Sequence, residues 1–187
     1  VLASSACTVG ISEAPDEVLN EESVANEELA NRNPYLKSKL AAEELVQQAE
    51  GIETVIVLPT TCYGPGDWSM NSGTLFKSLK SKFALPLPPG GTNVVDVDDV
   101  VRGFIQCAQK GLTGQRYILG GENLFFGQVF RTISHALGKS PFFVPVPSLS
   151  RKPMELAAWF LGKLTGSRFI TPQIIGDLFF FKYYGSE

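Results

Sequence analysis

The stretch Thr54-Val55-Ile56-Val57-Leu58, with Gly51 before it and Pro59-Thr60-Thr61 after it, decides the fold. Residues 55–58 form a continuous apolar run, mostly β-branched and too short for a helix. Such a run between breakers reads as a strand buried on both faces, as parallel sheets require. Working backwards, residues 34–50 read as a helix. Pro34 suits the first turn, where its missing N–H costs nothing, and Gly51 suits the position just past the end. Leu40, Leu45, Val46 and Ala49 would make its packing stripe, with Glu43, Glu44, Gln47 and Gln48 pointing elsewhere. Val1-Leu2-Ala3 reads as the end of another buried strand. Strand, helix and strand at this spacing imply a parallel βαβ unit. Parallel sheets collect ligands at the carboxyl ends of their strands. Those ends here are Ser4-Ser5 and Pro59-Thr60-Thr61, and the first turn of the helix should converge on them.

That first turn carries Tyr35, with Lys39 four residues later on the same helix face. A tyrosine that exchanges a proton needs its phenolate favoured, and an ammonium one turn away does this. The pair therefore suits acid–base work on a carbonyl or alcohol. On spacing alone the pair proves little, since the commoner reading is a solvated helix face with one half-buried ring.

Outward from this unit, residues 11–34 are acidic and polar and read as an exposed loop with short helical turns. Tyr63-Gly64-Pro65-Gly66-Asp67 is a sharp turn leaving the sheet. Residues 68–92 read as a substrate-side excursion, with a helix over about 75–82 and then Pro86, Pro88, Pro89, Gly90 and Gly91. Val94 to Val100 is a brief strand running into a helix. Asp98 and Asp99 stand at the helix start, where carboxylates cap free N–H groups, so the aspartate cluster is assigned to capping and not to a metal. Arg116-Tyr117-Ile118-Leu119-Gly120-Gly121 is a further strand and turn. Residues 125–137 form an amphipathic helix with Val129, Ile133 and Leu137 inward. Phe142 to Pro147 is extended, and helices are expected over about 151–165 and 172–183. Met154, Leu156, Trp159, Phe160 and Leu164 are assigned to the core or to an apolar pocket.

Composition excludes several function classes. The 187 residues carry a net charge of −3, which gives no basic field for nucleic acid or anionic lipid. No apolar run reaches membrane-spanning length. Cys7, Cys62 and Cys107 are scattered without metal-ligand spacing and read as reduced core thiols of a cytoplasmic protein. A single histidine, His135, rules out His-based triads and multi-His metal sites, and its setting is that of a surface or packing residue.

Taken in order, Ser4-Ser5-Ala6…Gly10, Tyr35-x-x-Ser38-Lys39-x-x-x-Glu43, Pro59-x-x-x-Tyr63-Gly64-Pro65-Gly66-Asp67 and Val95-Asp96-Val97-Asp98-Asp99 resemble the extended short-chain dehydrogenase/reductase superfamily of NAD-dependent epimerases and dehydratases. Arg116 to Asn123, together with Gly64-Pro65-Gly66-Asp67, is most similar to its dihydroflavonol-reductase-like branch. The resemblance implies an α/β fold. It would comprise the C-terminal half of a Rossmann-type doubly wound parallel sheet (about residues 1–67 and 93–120) and a small substrate lobe (about 68–92 and 121–187). It implies an NAD- or NADP-dependent oxidoreductase or epimerase acting on a carbonyl or hydroxyl of a small molecule. Tyr35 would be the general acid/base. Lys39 would assist it and hold the nicotinamide ribose, Ser5 would hold the substrate oxygen, and Pro59, Thr60 and Thr61 would line the nicotinamide. Asp99 would be structural. A homodimer through the Tyr35 helix also follows from the resemblance.

The departures matter equally. The Gly-rich phosphate loop of the superfamily is absent, as is the residue that selects NAD from NADP. Leu58 stands where an arginine is common. The chain therefore reads as a fragment carrying the catalytic half of the sheet, expected to bind dinucleotide poorly by itself. The alternative is a catalytically idle relative serving as a binding or regulatory module.

Overall fold

In a computed structural model, which describes residues 1–68, 73–166 and 171–185, Ile56, Val57 and Leu58 are completely buried. They belong to the middle strand of a parallel sheet. In chain order the strands are β1 (Leu2–Ala3), β2 (Ile56–Pro59), β3 (Thr61–Tyr63), β4 (Ala84–Leu87), β5 (Gly91–Asp96), β6 (Arg116–Leu119), β7 (Glu122–Phe125), β8 (Phe142–Pro145) and β9 (Phe181–Lys182). The helices are α1 (Glu27–Arg32), α2 (Pro34–Gln47), α3 (Gly73–Ser81), α4 (Val97–Lys110), α5 (Phe126–Ala136), α6 (Arg151–Thr165) and α7 (Pro172–Asp177).

The first sheet has the order β1-β2-β6, all parallel, with Leu2 beside Ile56 and Ile56 beside Arg116. The chain leaves it at Thr60, whose N–H still donates to the Leu119 carbonyl at 3.2 Å. It then enters a second sheet, β3-β5-β7, with β9 also on β5. A two-stranded parallel pair, β4-β8, completes the framework. The α/β class with parallel sheets is the one expected. Two apolar clusters hold it together. Ala6, Val9, Ile56, Leu58, Ile118 and Tyr184 gather around the first sheet, and Leu79, Leu85, Val129, Phe130 and Ile133 lie under α3 and α5. Val129 and Ile133 face inward, and His135 is exposed on α5. Among the described residues no helix is long and apolar enough to cross a membrane.

Several expectations are corrected. Helix α2 buries Leu36 and Glu43, whereas Leu45 is 71% exposed, so its inward face is not the stripe assigned to it. The reason is polar: Ser4 and Arg116 meet Glu43 beneath the helix. The helix also ends at Gln47, short of Gly51. Residues 84–87 form a strand, so this Pro-containing segment is not simply a loop. Residues 178–183 are not helical. β9 pairs in parallel with β5, and Gly90 and Gly91 make room for it. A Cβ on Gly90 would sit 2.3 Å from the Phe180 carbonyl oxygen, and one on Gly91 2.4 Å from the Tyr183 hydroxyl. On α6, Leu156, Trp159, Phe160 and Leu164 are exposed, and the fully covered position is Ala158. The acidic loop is pinned rather than free, because Ser12 and Leu19 bridge to Phe181 and Tyr184. The three cysteines are free and half-buried, not deep in the core.

A buried polar joint ties the two larger sheets together. Asn93, 1% exposed, accepts from the Thr60 hydroxyl at 2.8 Å and the Gly121 N–H at 2.9 Å, and donates to Asn123 Oδ1 at 2.8 Å. Asn123 in turn accepts the Tyr184 N–H at 3.0 Å and donates to the Tyr184 carbonyl at 3.1 Å. Asn93→Ala would strand several buried partners at once. It should cost about 3 kcal/mol, read as a lowered denaturant midpoint at constant slope; a loss below about 1 kcal/mol would contradict this accounting.

The Tyr184 hydroxyl donates to the Gly10 carbonyl at 2.9 Å. Burial pushes its ionisation upward, with the nearby Cys7 and Asp177 adding to the effect. A tyrosine in the unfolded chain releases its proton near pH 10, so above that pH the folded state holds more protons. The stability this group contributes is therefore complete below about pH 10 and declines as pH rises further. Unfolding free energies measured at about pH 8 and about pH 11 should differ less in Tyr184→Phe than in the parent chain. An equal alkaline loss in both would contradict the assignment.

Candidate active site

Tyr35 occupies the second position of α2 because Asn33 caps the helix. The Asn33 Oδ1 accepts from the N–H groups of Tyr35 and Leu36 at 3.1 and 3.2 Å, and Pro34 supplies a preset first turn. The Tyr35 ring is 54% exposed. One turn on, Lys39 Nζ donates to the Ala3 carbonyl at 2.9 Å and lies 5.8 Å from the centre of the Tyr35 ring. This contact anchors the Tyr35–Lys39 face to the carboxyl end of β1.

Ser5 follows two residues later and caps a short 3-10 turn, Ala6–Thr8. Its Oγ accepts the Cys7 N–H at 3.4 Å, and its own hydroxyl proton is within reach of the Cys7 sulfur, a weak acceptor. A substrate oxygen could receive it. The Ser4 N–H donates to the Val57 carbonyl at 2.9 Å, so the Ser4-Ser5 end runs beside the end of β2. The Ser5 backbone is tied down as well, with its carbonyl accepting from the Thr8 hydroxyl at 2.9 Å and the Thr8 N–H at 3.1 Å. Ser5, Tyr35 and Lys39 are thus brought to the same end of the sheet.

Pro59, Thr60 and Thr61 stand where β2 ends, but the two hydroxyls are engaged inward. Thr60 donates to Asn93, and Thr61 pairs with Thr92 at 2.8 Å. Neither hydroxyl is therefore available to a ligand without breaking these bonds. Burial pushes the Cys7 thiol up, only partly opposed by the Ser5 hydroxyl, so Cys7 is a poor nucleophile at neutral pH. Asp96 caps α4 by accepting the Asp98 N–H at 2.8 Å, and Asp99 pairs with Arg102 at 2.7 Å. Among the described residues no group of three or more His, Cys, Asp or Glu side chains is gathered to hold a metal.

Sequence reasoning missed Glu43, Arg116 and Asn93. Glu43 had a signal, since it lies seven residues from the buried Leu36 and so on its face. Arg116 and Asn93 had none, because their partners are distant in sequence.

An open cleft of about 490 Å³ begins directly after the Ser5 turn. Val9, Gly10, Ile11, Asn26, Leu29 and Arg151 are among its lining residues, whereas Ser5, Tyr35 and Lys39 are not. Its lining mixes apolar and polar groups, as a small-molecule site does.

Comparison with known proteins places this geometry. A UDP-glucose 4-epimerase of Vibrio cholerae is 30% identical over 159 residues, covering 80% of this chain and 45% of that protein. A Synechocystis protein provisionally described as a dihydroflavonol 4-reductase is 32% identical over 111 residues, covering 56% of this chain and 32% of that one. The crystal structure of gox2253 superposes with a TM-score of 0.77 at 26% identity, covering 98% of this chain and 56% of the other. The chain thus spans half or less of the length of these curated relatives. The description of the NAD dependent epimerase/dehydratase family matches residues 1–120, most of the chain and all of the site described above. This chain belongs to the NAD-dependent epimerase/dehydratase family.

Proposed function

We propose that this chain carries the catalytic half of an NAD- or NADP-dependent oxidoreductase or epimerase acting on a carbonyl or hydroxyl of a small molecule. The observation that supports this best is the Lys39–Ala3 contact, which fastens the Tyr35 face to the strand end that delivers Ser5. Tyr35 gives a proton to, or takes one from, the substrate oxygen. Ser5 donates its hydroxyl proton to the same oxygen, a better acceptor than the Cys7 sulfur, and holds it in place. Lys39, held on the Ala3 carbonyl, keeps its ammonium beside the Tyr35 ring and orients the reacting groups.

The residues present fit the nicotinamide side of the cofactor. Lys39 has three N–H donors, one of which is used on Ala3, leaving two for ribose hydroxyls. Pro59 and the backbone at Thr60 and Thr61 offer a surface beside it. When bound, NAD or NADP supplies the hydride chemistry. No Gly-rich turn between a strand and its helix is present in these residues to hold the phosphates, so that grip falls to the part of the fold that the relatives carry and this chain does not.

In the full-length polypeptide, Tyr35→Phe should lower kcat by at least about 100-fold while leaving cofactor affinity within about threefold. Turnover equal to the parent would contradict the role given to Tyr35. Net oxidation of NAD(P)H by a carbonyl substrate would identify a reductase, and conversion without net cofactor change an epimerase.

A further inference from the structure

Glu43 is a charged side chain that the proposed chemistry does not use, yet it is only 5% exposed. Buried carboxylates are rare unless paired, so its partners carry information. One oxygen accepts the hydroxyl of Ser4. The other lies 3.2 Å from Arg116 Nε, an ion pair whose N–H is not aligned as a hydrogen bond. Arg116, on β6, is itself nearly enclosed, and both of its terminal nitrogens are engaged. One terminal nitrogen donates to the Glu21 and Ser23 carbonyls at 3.0 Å each, and the other to the Thr8 hydroxyl at 2.9 Å.

These partners surround Ser5. Ser4 precedes it, and Thr8, held by Arg116, donates in turn to the Ser5 carbonyl. Glu43 is also on the helix of the acid–base pair, one turn beyond Lys39 and two beyond Tyr35. One carboxylate therefore joins the helix that carries Tyr35 and Lys39 to the turn that carries Ser5. An apolar residue could pack a helix against the sheet but would not fix its rotation or slide as a directional hydrogen bond and an ion pair do together.

We infer that Glu43, buttressed by Arg116, is a positioning residue that sets the separation of the Ser5 hydroxyl from the Tyr35–Lys39 face. This rests on the catalytic reading of those three residues. Two proton donors serve one substrate oxygen only when both reach it, and a misplacement of about 1 Å can cost about 100-fold in rate. Glu43→Gln keeps the size and an acceptor for Ser4 but removes the charge that faces Arg116. It should reduce kcat between about 10- and 100-fold, with KM for the cofactor changed by less than about threefold. A second variant, Glu43→Leu with Arg116→Met, removes both charges together. Such replacements can restore folding stability because no buried charge is left alone.

The decisive experiment measures kcat, KM and thermal midpoint for both variants in the full-length polypeptide, per folded molecule, beside Tyr35→Phe. The inference predicts that kcat stays low in the double variant even where its midpoint returns to that of the parent. If Glu43→Gln does not fold, the double variant carries the measurement. A kcat within about threefold of the parent in Glu43→Gln, or a kcat in the double variant that recovers along with its stability, would overturn it. Inactive Tyr35→Phe beside fully active Glu43→Gln would remove the positioning role alone, whereas active Tyr35→Phe would remove the catalytic reading and this inference with it.

Discussion

The ion pair between Glu43 and Arg116 is the constraint on which the site depends. Both groups are withdrawn from water, and their mutual attraction offsets that cost only because further hydrogen bonds satisfy them. Ser4, Thr8 and the carbonyls of Glu21 and Ser23 provide those bonds. Removing one partner of such a pair costs about 3–5 kcal/mol, more than most single contacts in a domain. The result is a cross-brace from α2 through the end of β1 to β6, with the acidic segment strapped over it. A sheet and a helix packed by apolar contact alone could slide by a fraction of a residue. The Ser4 hydrogen bond to Glu43 and the Lys39 bond to the Ala3 carbonyl fix the helix on β1, and the ion pair to Arg116 ties it to β6.

A second polar joint does the corresponding job between the sheets. Asn93 gathers the crossing point at Thr60, the turn at Gly121 and the return of the chain at Tyr184. The carboxyl ends of β1 and β2 thereby keep one arrangement relative to β3 and β5, whatever the outer helices do. The Thr60 hydroxyl is consumed in this joint and the Thr61 hydroxyl in its bond to Thr92, so neither is spare at the strand end. The two joints show the same economy: apolar clusters give the fold its stability, and buried polar groups give the rim its shape.

Much of this was legible in the sequence. The run at 55–58 announced a buried parallel strand, Pro34 announced the start of α2, and the Tyr35–Lys39 spacing announced a shared face aimed at strand ends. Each of these is a local signal. Glu43 was read as outward because a helix is ordinarily sorted by the polarity of its side chains, and here a charge belongs inside. Its partner Arg116 sits on a strand far along the chain, and no periodicity reports such a pairing. The aromatic run near Phe179 to Tyr184 fits helix or strand equally; only the Gly90-Gly91 pair, which admits another backbone, hinted at β9. On α6 the apolar residues suggested burial, but Leu156, Phe160 and Leu164 lie on the outer side of the helix. Hydrophobicity says what a side chain prefers, not whether anything is there to cover it.

The account assigns proton chemistry and the nicotinamide side to these 187 residues and assigns the grip on the cofactor phosphates elsewhere. Calorimetric titration of NAD(H) and NADP(H) into the folded 187-residue chain tests this most directly. The account predicts no saturable binding tighter than a Kd of about 1 mM, and the appearance of tight binding when a Gly-rich strand–turn–helix half is supplied in the same polypeptide. A Kd of about 10 µM or tighter for the 187 residues alone would contradict it.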